Sequence, residues 1–142
     1  MKVLVINCGS SSLKYQLIDS ESEQVLAKGI CERIKLDGSL THQATGKEKI
    51  QIVAPMPDHS AAVKLVLQYL LDEKLGAIAS LDEIAAVGHR VVHGGEKFSS
   101  AVLIDEEVLA AIEECCDLAP LHNPANLIGI RACQELMPGV PQ

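Results

Sequence analysis

The chain opens with Lys2-Val-Leu-Val-Ile-Asn7-Cys8-Gly9-Ser10-Ser11-Ser12-Leu13-Lys14, a buried-strand pattern that runs straight into a hydroxyl-rich turn ending in lysine. Phosphate binding needs this order, because a rigid apolar strand must aim a loop of small residues. Gly9 lets the backbone approach a ligand with no Cβ in the way. Ser10, Ser11 and Ser12 set hydroxyl donors beside backbone N–H groups, and Lys14 adds a positive charge. The same residues also suit an ordinary Gly/Ser turn between two hairpin strands. No Gly-x-x-x-x-Gly-Lys-Ser/Thr occurs in the chain, and no Gly-x-Gly-x-x-Gly follows a strand.

Two further segments bear on that choice. Gly88-His89-Arg90-Val91-Val92-His93-Gly94-Gly95 follows the apolar run Ile84-Ala85-Ala86-Val87, which places it at the C-terminal end of a strand. Ligands of open α/β sheets bind beyond the carboxyl ends of strands. Arg90 there is a fork-shaped cation suited to a phosphate or carboxylate, and Gly94-Gly95 permits a sharp turn next to it. In Ala119-Pro120-Leu121-His122-Asn123-Pro124, Asn123 reads as an N-cap with Pro124 at the first helical position. Taken singly, the second segment is equally a strand-end turn and the third a helix start.

Together, in this order and spacing, the three segments resemble the acetokinase family. The match runs from Asn7-Cys-Gly-Ser-Ser-Ser-Leu-Lys14 through Gly88-His-Arg-Val-Val-His-Gly-Gly95 to Ala119-Pro-Leu-His-Asn-Pro124, and takes in Leu17-Ile18-Asp19 and Cys31-Glu32-Arg33. The resemblance implies an α/β fold of the ribonuclease-H-like (actin/Hsp70/sugar-kinase) type, a mixed sheet with flanking helices. It implies that residues 1–142 form the N-terminal domain, with the C-terminal domain absent from this chain. It also implies acetate kinase chemistry: phosphoryl transfer between ATP and acetate, giving acetyl phosphate and ADP, with magnesium. Propionate and butyrate kinases share the general pattern.

Residue by residue, the resemblance assigns Arg90 to the acetate carboxylate or acetyl phosphate and to charge on the phosphoryl group in flight. It assigns Val92 and Leu121 to a small pocket for the acetate methyl, for which plain core packing is the alternative. His122 would donate a hydrogen bond to a phosphoryl oxygen, or else order the adjacent loop. Ser10, Ser12 and Lys14 would meet the phosphates of ATP, and Asn7 the metal side of the site. Related folds usually carry an aspartate near that point. Neutral Asn7 leaves the principal metal-binding carboxylates to come from elsewhere.

Composition narrows the function classes. A formal charge of −7, with no basic cluster interleaved with aromatics, argues against a nucleic-acid partner. No apolar run is long enough to span a membrane, and the first strand is too short for a signal-peptide core. Aromatic residues make up 2% of the chain, so the core must be aliphatic. The five cysteines are odd in number and lack paired C-x-x-C spacing, which reads as reduced, buried thiols in a cytoplasmic protein. His89 and His93 sit four apart, but in a strand-to-turn setting they do not make a helical metal pair. His42 and His59 read as solvated surface residues.

The expected elements are strands at Val3–Ile6, Leu13–Asp19, Val25–Ile34, Ile50–Val53 and Ile84–Val92, with a further short strand at Val102–Ile104. Ser20–Gln24 is a hairpin turn, and Lys35–Lys49 an irregular excursion. Helices are expected from an Asp58 cap to Leu71, from an Asp105 cap to about Cys116, and over Pro124–Leu136. A helix and a turn with no following strand is an odd stopping place for an α/β domain, so the chain is expected to be a piece of a longer one. The remaining site groups and the dimerising region would then lie past Gln142, leaving this piece inactive alone. The rival reading is a truncated, non-catalytic domain that binds a phosphate or a protein.

Overall fold

A computed structural model describes residues 1–91, 100–120 and 123–142. Six strands form one sheet: β1 (Lys2–Cys8), β2 (Leu13–Asp19), β3 (Val25–Glu32), β4 (Ser39–Ala44), β5 (Ile50–Val53) and β6 (Ile84–His89). Their order across the sheet is β5-β4-β3-β2-β1-β6. Neighbours are antiparallel except β1 and β6, which are parallel. A parallel pair needs a long crossover. Here it carries β2 to β5 and helix α1 (His59–Leu70). Helices α2 (Glu106–Glu114) and α3 (Asn123–Leu136) follow β6.

Alternation along the strands sets the two faces of the sheet. Leu4, Ile6 and Cys8 of β1 and Leu13, Tyr15 and Leu17 of β2 are buried, whereas Val5, Asn7, Lys14 and Gln16 between them are exposed. The buried side meets Ala62, Val63, Val66, Leu67 and Leu70 of α1, and Ala125, Ala132 and Cys133 of α3. A second cluster, Val108, Leu109 and Ile112 with Leu127 and Ile130, packs α2 on α3. Asp58 caps α1 by accepting from Ala61 N at 2.8 Å, and Asp105 caps α2 by accepting from Val108 N at 2.9 Å. Among the described residues, no helix is long and apolar enough to cross a membrane.

The polar excursion expected over Lys35–Lys49 instead contains β4. Its inward residues are Leu40, His42 and Ala44, and His42 is fully buried. His42 Nε2 donates to the Leu75 carbonyl at 2.9 Å, so Nδ1 is left to accept from the buried Tyr15 hydroxyl. Gly29, opposite Tyr15 in the register, leaves room for that hydroxyl: a Cβ there would lie 2.4 Å from it. The strand expected at Val102–Ile104 is absent. The edge of β6 takes the C-terminal segment instead, with Val87 N donating to Pro141 O and Ile104 N to Gln142 O.

Candidate functional site

The turn between β1 and β2 is tied down on the side of the helices. Gly9 N donates to Ser12 O at 2.8 Å, which closes the loop on itself. A Cβ on Gly9 would lie 2.8 Å from Ser12 Oγ, so a larger residue there would push the Ser12 hydroxyl from its place. Cys8 O accepts from Asn126 Nδ2 of α3 at 3.1 Å, Gly9 O from His59 Nε2 of α1 at 2.6 Å, and Ser11 O from Ile34 N at 3.0 Å. Backbone carbonyls are thus turned toward the protein while Ser10 and Ser11 stay exposed. At the same corner α3 approaches β1 closely: a Cβ on Gly129 would meet Cys8 Sγ at 2.6 Å.

Asn7 and Lys14 are register partners across β1 and β2, both on the exposed face. Side chains paired this way stand about 5 Å apart at Cβ. Both line an open concavity of about 460 Å³ on that face, together with Val5, Lys28, Thr41 and Gln43. Arg90 follows β6. Its backbone N donates to Ile6 O at 3.2 Å, so the β1–β6 ladder extends to its position, and its side chain is exposed. Arg90 therefore stands one strand away from Asn7, where both parallel strands end.

Of the expected site residues, Asn7, Ser10, Ser12, Lys14 and Arg90 are brought to one end of the sheet. Val92, Leu121 and His122 lie outside the described residues, as do His93, Gly94 and Gly95. Two histidines differ from expectation: His42 and His59 are 0% and 1% exposed, not solvated. For His59 the signal was present. Positions 59, 62, 63, 66, 67 and 70 form one helical stripe, and all six are buried. Asn126, a second polar residue on an inward helical face, was equally missed.

The corner is electropositive, with Lys14 and Arg90 beside neutral donors. Asn7 and the serine hydroxyls are neutral oxygen donors. Among the described residues, no three His, Cys, Asp or Glu side chains converge to hold a metal. Magnesium keeps several waters and is usually bound through one or two carboxylates plus substrate phosphates. The residues present fit such an ion only as auxiliary donors to one already carried by a nucleotide. The cysteines are free thiols, and burial pushes Cys8, Cys31 and Cys133 up to about 12.

A family model described as the acetokinase family matches residues 2–142. The chain belongs to the acetokinase family. Acetate kinase of Agathobacter rectalis is 68% identical over 141 residues, covering 99% of this chain and 36% of that protein. Acetate kinase of Alkaliphilus metalliredigens is 63% identical over 142 residues, with the same coverage. Among solved structures, Porphyromonas gingivalis acetate kinase superposes with a TM-score of 0.96 at 51% identity, covering 99% of this chain and 36% of that one. A propionate kinase from Francisella tularensis gives 0.89 at 39% identity, covering 99% and 35%. The chain thus spans little more than a third of the length of these relatives. The family's fold is that of actin, Hsp70 and the sugar kinases, and the six-stranded sheet with flanking helices conforms to it.

Proposed function

We propose that this chain is the N-terminal domain of an acetate kinase, which moves the γ-phosphoryl group of ATP to acetate and gives acetyl phosphate and ADP. The observation that carries the reading is the meeting of Arg90, Asn7, Lys14 and the anchored Gly9–Ser12 loop where parallel strands β1 and β6 end. An acetate oxygen attacks the γ-phosphorus while the bond to the ADP oxygen breaks, so no proton needs to be moved. Catalysis of this kind is positioning plus stabilisation of charge on the equatorial oxygens. In this reading Arg90 holds the carboxylate and faces that charge. Ser10, Ser12 and Lys14 hold phosphate oxygens, and Asn7 lies toward the metal of the nucleotide. Phosphate charge would be neutralised by the magnesium that ATP carries. The family resemblance assigns the acyl side to Val92, Leu121 and His122, with Val92 and Leu121 for the methyl group.

The same reading makes the parent a cytoplasmic homodimer whose remaining machinery lies past Gln142, and this chain inactive alone. Likeness to a propionate kinase supports a second reading in which the acyl acceptor is one methylene longer. Such a difference is worth only about 1–3 kcal/mol in an apolar pocket. The test is Arg90→Ala in the full-length parent. Loss of a key transition-state cation is expected to cut acetate-dependent turnover by about two orders of magnitude or more. Arg90→Lys should recover only part, because an ammonium cannot reproduce the planar fork. Normal turnover by Arg90→Ala would remove Arg90 from the mechanism.

A further inference from the structure

The first residue of α1 does something the helix does not require. His59 is 1% exposed, and its Nε2 donates to Gly9 O at 2.6 Å. Its other ring nitrogen, Nδ1, is buried and has no partner among the described residues. A buried polar atom left without a partner keeps its desolvation penalty, which an apolar side chain of similar shape would avoid. Folding stability is therefore a poor account of a histidine here, and the contact with the loop is the better one.

That contact fixes a direction. No peptide bond among the described residues is cis, so Gly9 C=O and Ser10 N–H lie in one plane and point opposite ways. With the Gly9 carbonyl turned in toward α1, the Ser10 N–H is turned out toward the exposed side of the loop. The Cys8 carbonyl is held separately by Asn126, and the Ser11 carbonyl by Ile34 N. The Gly9–Ser10 plane hangs on His59. A glycine on one side of that plane makes rotation cheap once its holder is gone.

We propose that His59 is a positioning residue of the β1–β2 loop: it holds the Gly9 carbonyl inward so that the Ser10 N–H faces the phosphate of the bound nucleotide or acyl phosphate. The inference rests on the reading of this loop as a phosphate site and adds a residue that never touches the ligand.

The test uses the full-length parent with His59→Leu, which fills the space without a donor, and His59→Gln, whose amide can reach Gly9 O. Selective ¹⁵N-serine labelling reports the Ser10 amide as Mg-ATP is added. His59→Leu is expected to lower kcat by about tenfold to a hundredfold, toward the range for loss of one aimed donor, with little change in KM for acetate. His59→Gln should return kcat to within about threefold of the parent, since its amide restores the donor. The Ser10 amide should respond to Mg-ATP in the parent and in His59→Gln, and not in His59→Leu. If His59→Leu does not fold, His59→Asn, too short to reach Gly9 O, is expected to show the same losses. Wild-type kcat in a donor-less variant would overturn the proposal. So would losses in Leu and Gln variants alike that track a lowered melting temperature. A parent with no acetate-dependent turnover would instead remove the kinase reading. The Ser10 response to Mg-ATP would then decide the positioning claim alone, and a Ser10 amide that did not respond in the parent would overturn it.

Discussion

Asn7 and Lys14 face each other across β1 and β2, and the neutrality of the first matters to the charge of the second. Asn7→Asp would set a carboxylate beside the ammonium and draw it away from the phosphates that the proposed function gives it. A hydrogen bond to a charged group contributes about 1.5–3 kcal/mol. The parent's KM for Mg-ATP is therefore expected to rise about tenfold or more, which steady-state kinetics at fixed acetate would measure. The thiols offer a check independent of activity. The thiolate is the reactive form, and burial holds Cys8, Cys31 and Cys133 near 12. In the folded chain at about pH 8 these three should resist a disulfide reagent that modifies them readily after denaturation. Rapid labelling of all three without denaturant would contradict the packing described.

At the scale of elements, the sequence was most readable where periodicity and caps agreed. β2 and β5 have the expected bounds, and α1 begins after the expected Asp58 cap. Asp58→Ala removes the acceptor for Ala61 N and should lower stability by about 1 kcal/mol in a denaturant titration. Gly129 is a sterner case. A Cβ there meets Cys8 Sγ at 2.6 Å, so Gly129→Ala should destabilise by about 1–3 kcal/mol through overpacking. It should also disturb the loop that follows Cys8. β4 was hidden because its inward row includes a histidine, and burial of His42 depends on Tyr15 and Leu75, from elements distant in sequence. Val102–Ile104 has strand composition but no strand: β1 already lies between β2 and β6, and the C-terminal segment takes the edge of β6. Composition cannot reveal that a ladder position is filled. In the candidate site, the placement of Asn7, Lys14 and Arg90 at one end of the sheet was legible because motif residues stand where strands end. The anchors His59 and Asn126 were not, since each lies on a helix far from the loop in sequence and bonds to backbone.

At the scale of the whole molecule, several groups give stability a direction with pH, the histidines His42 and His89 and the carboxyl of Glu83 among them. Desolvation by burial lowers the His42 pKa from its ordinary 6.5, so the unfolded chain binds the proton more readily. His42 thus withdraws stability as pH falls below about 6.5 toward its depressed value. Glu83 is held down to about 2, first by Lys2, whose Nζ lies 2.5 Å away, then by the Ala79 and Ser80 amides. Its contribution is present above the ordinary carboxylate range and is lost as pH falls from about 4.5 to about 2. Burial depresses His89 in the same direction, so urea midpoints should fall from pH 7 to pH 5, and His42→Gln should flatten part of that slope while lowering the midpoint at pH 7. An unchanged slope in His42→Gln would assign the acid sensitivity to other groups.

In the proposed function, these 142 residues supply only part of a phosphoryl-transfer site. Phosphoryl-transfer groups that act as a unit lose nearly all activity when several are removed together. The most direct measurement is formation of acetyl phosphate from acetate and Mg-ATP, run in parallel on the full-length parent and on the 142-residue chain. Acetate-dependent turnover is expected of the parent, and none above background of the chain alone. Turnover by the chain at a rate near the parent's, or a parent that turns over no acetate, would contradict that expectation.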